Sequence, residues 1–253
     1  MSQHIRLLIE YNGRPFNGWQ RQAEQATVQG AIEAACEKLD GATVVVQGAG
    51  RTDAGVHATG QVAHLTLTKP RPIRTVADAL NYHLRPAPIA ILKAEEMDDA
   101  FHARFSATGR AYRYVIINRR ADLALDKNLA WRVPQKLDTA AMQEAANHLL
   151  GEHDFTTFRD AECQAKSPVK TLDTLEVHKF GERVEITTTA RSFLHRQVRS
   201  ITGSLVEVGR GVREPDWMKE ILEARDRTAC GPVAPSDGLY LERVDYADHP
   251  WGD

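Results

Sequence analysis

"TLDTLEVHKFGERVEITTTARSF", residues 171–193, reads as two strands joined by a tight turn at Gly181-Glu182. Strands joined by turns this short, mixed in order with helices, point to an α+β fold with a largely antiparallel sheet.

Downstream, residues 194–209 carry Leu194, Val198, Ile201, Leu205 and Val208 at spacings of three and four, the pattern of an amphipathic helix. A further helix is predicted over 215–225, with Pro215 in its first turn, and a last strand over 238–246. Upstream, Asp138 is placed to cap a helix over 139–150 that ends at Gly151. Residues 119–138 read as a linker or crossover.

The first half predicts a strand over 5–11, a loop over 12–22 and a helix from Val28 to Leu39, with Thr27 as its N-cap and Gly41 just past its end. Strands over 43–50 and 61–68, a helix over 75–84, and strands over 89–97 and 110–119 follow. The chain thus divides into residues 1–120 and 121–253, and the similar order of elements suggests a diverged duplication.

At 253 residues and 42% apolar composition the chain can bury a sizeable core. No run approaches the roughly 18 apolar residues of a membrane span, and the N-terminus lacks the pattern of a cleaved leader, so neither secretion nor membrane insertion is expected. Cys36, Cys163 and Cys230 are widely spaced and never in a C-x-x-C pair. They suit reduced, buried cysteines of a cytoplasmic protein better than disulfides or thiolate metal ligands.

Charge is segregated along the chain. Residues 101–121 hold Arg104, Arg110, Arg113, Arg119 and Arg120 and no acid; residues 190–213 hold Arg191, Arg196, Arg199, Arg210 and Arg213 against Glu207 alone. Ten arginines against one glutamate give these stretches +9 in a chain whose net charge is -2, which leaves -11 for the rest. Arginine is the cation suited to bidentate recognition of phosphate, so a polyanion bound in one groove competes with the plainer reading of a solvated face.

The chemistry concentrates in "GAGRTDAGVHA", residues 48–58. A dinucleotide fingerprint fails, because the third glycine, Gly55, comes two residues late and a strand rather than a helix follows. A P-loop fails as well: Gly50 and Gly55 have its spacing, but Val56 and His57 stand where Lys and Ser/Thr must be. A metal site from Asp53, His57 and His64 is disfavoured, since the two histidines would face opposite sides of a strand and no Cys or second carboxylate is near.

A lone acid remains, on a loop of glycines beside Arg51. The glycines let a bulky substrate approach the backbone, and neighbouring arginines favour the ionised form of Asp53. Such a carboxylate is a competent nucleophile or stabiliser at a glycosidic carbon. A turn aspartate capping its own backbone is the plainer alternative.

Six stretches decide between them: 11–22 "YNGRPFNGWQRQ", 48–64 "GAGRTDAGVHATGQVAH", 101–114 "FHARFSATGRAYRY", 149–159 "LLGEHDFTTFR", 192–209 "SFLHRQVRSITGSLVEVG" and 237–246 "DGLYLERVDY". In order and spacing they resemble the tRNA pseudouridine synthase A family, also called tRNA pseudouridine(38-40) synthase, over nearly the whole chain. Two departures are Asn12, where the family more often has Asp, and the pair His195-Arg196, where a second His or Met is more usual; the latter bears on an RNA contact.

The resemblance implies an isomerase that converts uridine to pseudouridine at positions 38, 39 and 40 of the tRNA anticodon stem-loop. It implies two similar α/β halves sharing a largely antiparallel sheet, with the active-site cleft between them. Asp53 matches the single catalytic aspartate, Tyr112 the tyrosine that packs on the target uracil, Arg51 a residue that displaces the target base, and Arg199 the arginine that pairs with the aspartate. Tyr114, on the same strand face as Tyr112 by the period of two, is a second candidate. Leu239 and Leu241 suit either a pocket wall or an ordinary core, and His57 and His64 are read as structural. The reaction is neither redox nor group transfer to a second molecule, so no cofactor or metal is implied. A tRNA partner and a homodimer with the RNA lying across both subunits are. A non-catalytic RNA-binding module would not need Asp53 beside Arg51, and a nucleoside hydrolase would not need the arginine stretches.

Overall fold

Strand β1 (Gln3–Tyr11) is the middle of the first unit's sheet: Ile5, Leu7 and Ile9 are fully buried, and both its edges are paired. The computed structural model describes residues 2–247 and Trp251. Its chain gathers into two compact units, Met1–Thr108 with Tyr240–Asp253, and Gly109–Leu239.

In the first unit, β1 pairs antiparallel with β3 (His57–Leu67) on one side and β4 (Ile89–Glu96) on the other. The short β2 (Gln47–Gly48) lies antiparallel to β3, and Tyr240 and Leu241 of β10 (Leu239–Asp245) run parallel to β3 beside His57 and Ala58. Helix α1 (Val28–Asp40) begins where expected: the Thr27 hydroxyl accepts from the Gly30 N–H, and Gly41, at φ 78°, closes the far end. Helix α2 (Ile73–Leu84) buries Val76, Leu80 and Leu84, and Pro86 lies just beyond its end.

The strand expected over 43–50 shrinks to two residues. Val46 has no place in a ladder because its N–H donates to Glu33 Oε1 and its carbonyl accepts from Gln29 Nε2. Side chains of α1 have taken the groups that a neighbouring strand would have used.

The second unit is an antiparallel sheet in the order β5 (Gly109–Ile117), β9 (Arg183–Ala190), β8 (Val169–Phe180), β7 (Gly151–Asp154). Strands β8 and β9 form the hairpin expected at Gly181-Glu182, with Gly181 at φ 63°. Within residues 119–138 the one regular piece is β6 (Trp131–Arg132), parallel to β5. Helix α3 (Thr139–Asn147) has Asp138 accepting from Ala140 and Ala141, and stops three residues earlier than expected, where the bonds tighten to i−3. Helix α5 (Trp217–Ala224) follows α4 (Gln197–Gly209).

Helix α4 starts three residues later than its apolar spacing predicts. Arg196 adopts φ 59°, which no α-helix accommodates, and Gln197 Oε1 accepts from the Leu194 N–H to close the preceding turn. A split at residue 120 would put β5 in the first half and all of β10 in the second. The contacts group them otherwise: β5 pairs with β9 from Arg110 to Ile117, and Tyr240 onward returns to β3. Of the strand pairs described above, β3/β10 and β5/β6 are parallel and the rest antiparallel, so the class is α+β with largely antiparallel strands.

Candidate active site

Asp53 sits half-buried on the loop between β2 and β3, and that loop is held from several sides within the first unit. The Trp19 N–H donates to the Thr52 carbonyl (3.0 Å), and Tyr11 Oη and Thr52 Oγ1 share a hydrogen bond of 2.8 Å. Gln61 Nε2 donates to the Gly50 carbonyl (2.8 Å), and the Gly55 N–H to the Phe16 carbonyl (3.3 Å). Just beyond Asp53 the chain turns, Val56 N–H donating to the Asp53 carbonyl with Gly55 at φ 79°. The segment 12–22 is thus a brace for the aspartate loop, a role its sequence did not disclose.

Two glycines explain how closely these loops approach. A Cβ on Gly18, itself at φ 84°, would lie 2.5 Å from the Thr52 carbonyl oxygen. A Cβ on Gly48 would lie 2.5 Å from the Trp19 indole. This corrects the reading of that glycine as clearance for substrate: the space above Gly48 is filled by Trp19.

Arg51 is exposed, and its Nε donates to Gln20 Oε1 (3.1 Å). Gln20 Nε2 donates to Gln29 Oε1 (2.8 Å), whose own Nε2 donates to Glu33 Oε1 (3.0 Å); Gln29 and Glu33 are both buried. A chain of amides therefore links Arg51 to α1. The two histidines of the motif are structural in what they bind. His57 Nδ1 accepts from the Gly13 N–H (3.1 Å) and its ring stacks 4.8 Å from Tyr240. His64 Nδ1 accepts from the Ala103 N–H (3.1 Å), and burial, reinforced by His102 and His4, pushes its pKa down to about 4.

Tyr112 and Arg199 belong to the second unit. Tyr112 is half-buried on β5 opposite Thr188 and meets Phe193 edge-on, ring centres 5.0 Å apart. Tyr114 takes the core role instead: it is fully buried, its hydroxyl donates to the Pro235 carbonyl (2.7 Å), and burial pushes its pKa well up. Arg199, half-buried on α4, donates from Nε to the Ala234 carbonyl (2.8 Å), and the Ala234 N–H returns a bond to the Arg199 carbonyl (3.1 Å). Leu239 and Leu241 are both buried.

The arginine stretches are less bare than their linear count. Arg113 meets Glu185 (3.1 Å), Arg119 meets Glu182 (3.3 Å), and Arg210 meets Glu207 (2.9 Å). Arg196 meets Asp160 (2.9 Å), where the Glu162 N–H and the Arg196 charge outweigh the cost of burial and hold the carboxyl below its usual range. The unusual pair His195-Arg196 is accordingly an anchor for α4 on Asp160. Of the cysteines, Cys36 and Cys163 are buried and Cys230 is half-buried. Burial, with Glu33 and Asp40 nearby, pushes the Cys36 thiol up to about 12.

A sequence model of the tRNA pseudouridine synthase family matches residues 7–106 and 145–247. The chain belongs to this family. The tRNA pseudouridine synthase A of Hyphomonas neptunium (strain ATCC 15444) is 66% identical over 241 residues, which cover 95% of this chain and 97% of that protein. The tRNA pseudouridine synthase A of Maricaulis maris (strain MCS10) is 61% identical over 241 residues, covering 95% and 97%. That of Paramagnetospirillum magneticum (strain ATCC 700264 / AMB-1) is 60% identical over 242 residues, covering 96% and 94%. Members of the family are isomerases. The matched segments include Arg51, Asp53 and Arg199, while Tyr112 falls between them. Among the described residues no helix is long and apolar enough to cross a membrane.

Proposed function

We propose that this chain isomerises uridine to pseudouridine in the anticodon stem-loop of tRNA, at positions 38, 39 and 40, with Asp53 as its single catalytic carboxylate. The observation that carries the reading is the braced, glycine-rich loop presenting Asp53 within the family-matched segment 7–106. In the reaction the bond from ribose C1′ to N1 breaks, the base turns, and C1′ bonds to C5. The C5 hydrogen leaves as a proton and N1 gains one, so atoms and charge balance with no oxidant and no cofactor.

Asp53 acts as nucleophile, at C1′ of the ribose or C6 of the uracil. Arg51 fills the space left by the flipped base, offsetting part of an unstacking cost of a few kcal/mol. Tyr112 packs on the target uracil, a contact worth roughly 1–3 kcal/mol, and Arg199 pairs with Asp53. In this reading the unit Met1–Thr108 with Tyr240–Asp253 supplies the aspartate loop, and the unit Gly109–Leu239 supplies the arginine-rich helix. Other arginines of the stretches 101–121 and 190–213 meet RNA phosphates. The enzyme works as a homodimer in the cytoplasm, an environment that suits three unbridged cysteines.

The test uses tRNA carrying tritium at uridine C5, since bonding through C5 must release the label. The wild type is expected to release it, and Asp53→Asn to lose at least about 10³-fold in rate. No release by the wild type, or full activity of Asp53→Asn, overturns the assignment. Sedimentation at assay concentration tests the dimer.

A further inference from the structure

Phe105 is 75% exposed, on the turn at residues 103–105. Single exposed apolar residues are ordinary on protein surfaces. This one differs in how firmly it is held. His102 Nδ1 accepts from the N–H groups of Arg104 (3.1 Å) and Phe105 (3.4 Å). The His102 N–H donates to Ser106 Oγ (3.1 Å), and the Ser106 N–H to the His102 carbonyl (2.9 Å). The backbone beneath the ring is therefore pinned from both sides.

The ring is supported as well. It lies 4.3 Å from the His102 ring, tilted 35°; His102 lies 4.5 Å from His64, and His64 lies 5.2 Å from His4. His102 Nε2 is in turn hydrogen-bonded with Gln47 Oε1 (3.0 Å). A ladder of rings thus runs from the buried His64 to the surface and ends in Phe105. Arg104 occupies the same turn, its guanidinium 5.7 Å from the Phe105 ring centre, in a stretch that has no acid from 101 to 121.

We propose that Phe105 is a stacking platform for an unpaired base of the tRNA substrate, with Arg104 against the adjoining phosphate. The inference deepens the tRNA reading above and rests on it. An aromatic face accepts any base, because every base has a π-face. A platform already fixed by its turn and its ladder loses little conformational entropy when a base settles on it. An arginine beside the ring suits a polyanion, whereas a purely apolar protein partner would leave that cation desolvated.

The test measures binding of an unmodified tRNA transcript to the full chain at several salt concentrations, with C5 tritium release assayed in parallel. Phe105→Ala is expected to weaken binding about tenfold with the slope of log K on log salt unchanged, because no phosphate contact is lost. Phe105→Trp restores the affinity, and Arg104→Gln flattens the slope by about one unit. The unfolding midpoint stays put in all three, since these side chains are exposed. Binding by Phe105→Ala within twofold of wild type overturns the platform, and so does a loss that coincides with dissociation of a dimer in sedimentation, which would seat a second copy on the ring. The arms separate the two readings. A wild type that binds tRNA but releases no tritium overturns the isomerase reading and leaves the platform standing; a wild type that does not bind tRNA overturns both.

Discussion

The Nε of Arg51 donates to Oε1 of Gln20 across 3.1 Å, and through the side chains of Gln20 and Gln29 that exposed arginine is tied to the buried Glu33 of α1. An arginine that must enter a base stack benefits from such a tether, because a freely rotating side chain loses more entropy on insertion. Gln20→Ala is expected to lower the single-turnover rate of tritium release about tenfold, near 1.4 kcal/mol, and to shift the urea unfolding free energy by no more than about 0.5 kcal/mol. On an Arg51→Ala background the same change should cost nothing further. A loss that persists on that background would assign Gln20 another role.

The brace around Asp53 has no slack at Gly18, whose added Cβ would lie 2.5 Å from a backbone carbonyl at a left-handed φ of 84°. Gly18→Ala should cost about 2–3 kcal/mol in chemical denaturation and reduce activity beyond that, because the loop carrying Asp53 must shift. Gly41→Ala is the control: it has a similar φ of 78° but nothing near its Cβ, so it should lose about 1 kcal/mol and keep its activity.

Tyr112 and Tyr114 should separate function from stability. Tyr114→Phe removes the hydroxyl that donates to the Pro235 carbonyl and is expected to cost about 1 kcal/mol of stability with activity intact at low temperature. Tyr112→Ala should lower tritium release at least about fivefold, the low end expected for losing an aromatic–base stack. Equal stability losses in the two variants would place Tyr112 in the core as well.

His64 predicts an acid limb in the stability curve. Its folded pKa, about 4, lies below the ordinary imidazole value of 6.5, so above pH 6.5 neither state binds the proton and the group contributes nothing. Between 6.5 and 4 the unfolded chain protonates and the folded one does not, so stability drops as the pH is lowered, by about 3 kcal/mol in all. His64→Gln, which keeps an acceptor for the Ala103 N–H, should flatten this limb in denaturation series across that range. An unchanged slope would assign the acid sensitivity to other groups.

The element order was largely legible from local signals. Thr27 and Gly41 marked the ends of α1, Asp138 the start of α3, and Gly181-Glu182 the hairpin. Where the reading slipped, a partner distant in sequence had intervened: Glu33 and Gln29 took the backbone groups of Val46, and the left-handed Arg196, paired with Asp160, delayed α4. The four-residue β7 was too short to show a period.

The sequence by itself determined the family, the candidate aspartate and the fold class, because ordered motifs, capping residues and turn glycines act over a few residues and are written in order. Only the tertiary structure decided that segment 12–22 braces the Asp53 loop, that Trp19 rather than substrate fills the space above Gly48, that Tyr114 and not Tyr112 is the core tyrosine, and that acids distant in sequence neutralise part of the arginine excess. Each of these is a contact between residues far apart along the chain, and such contacts exist only once packing has brought them within a few ångströms.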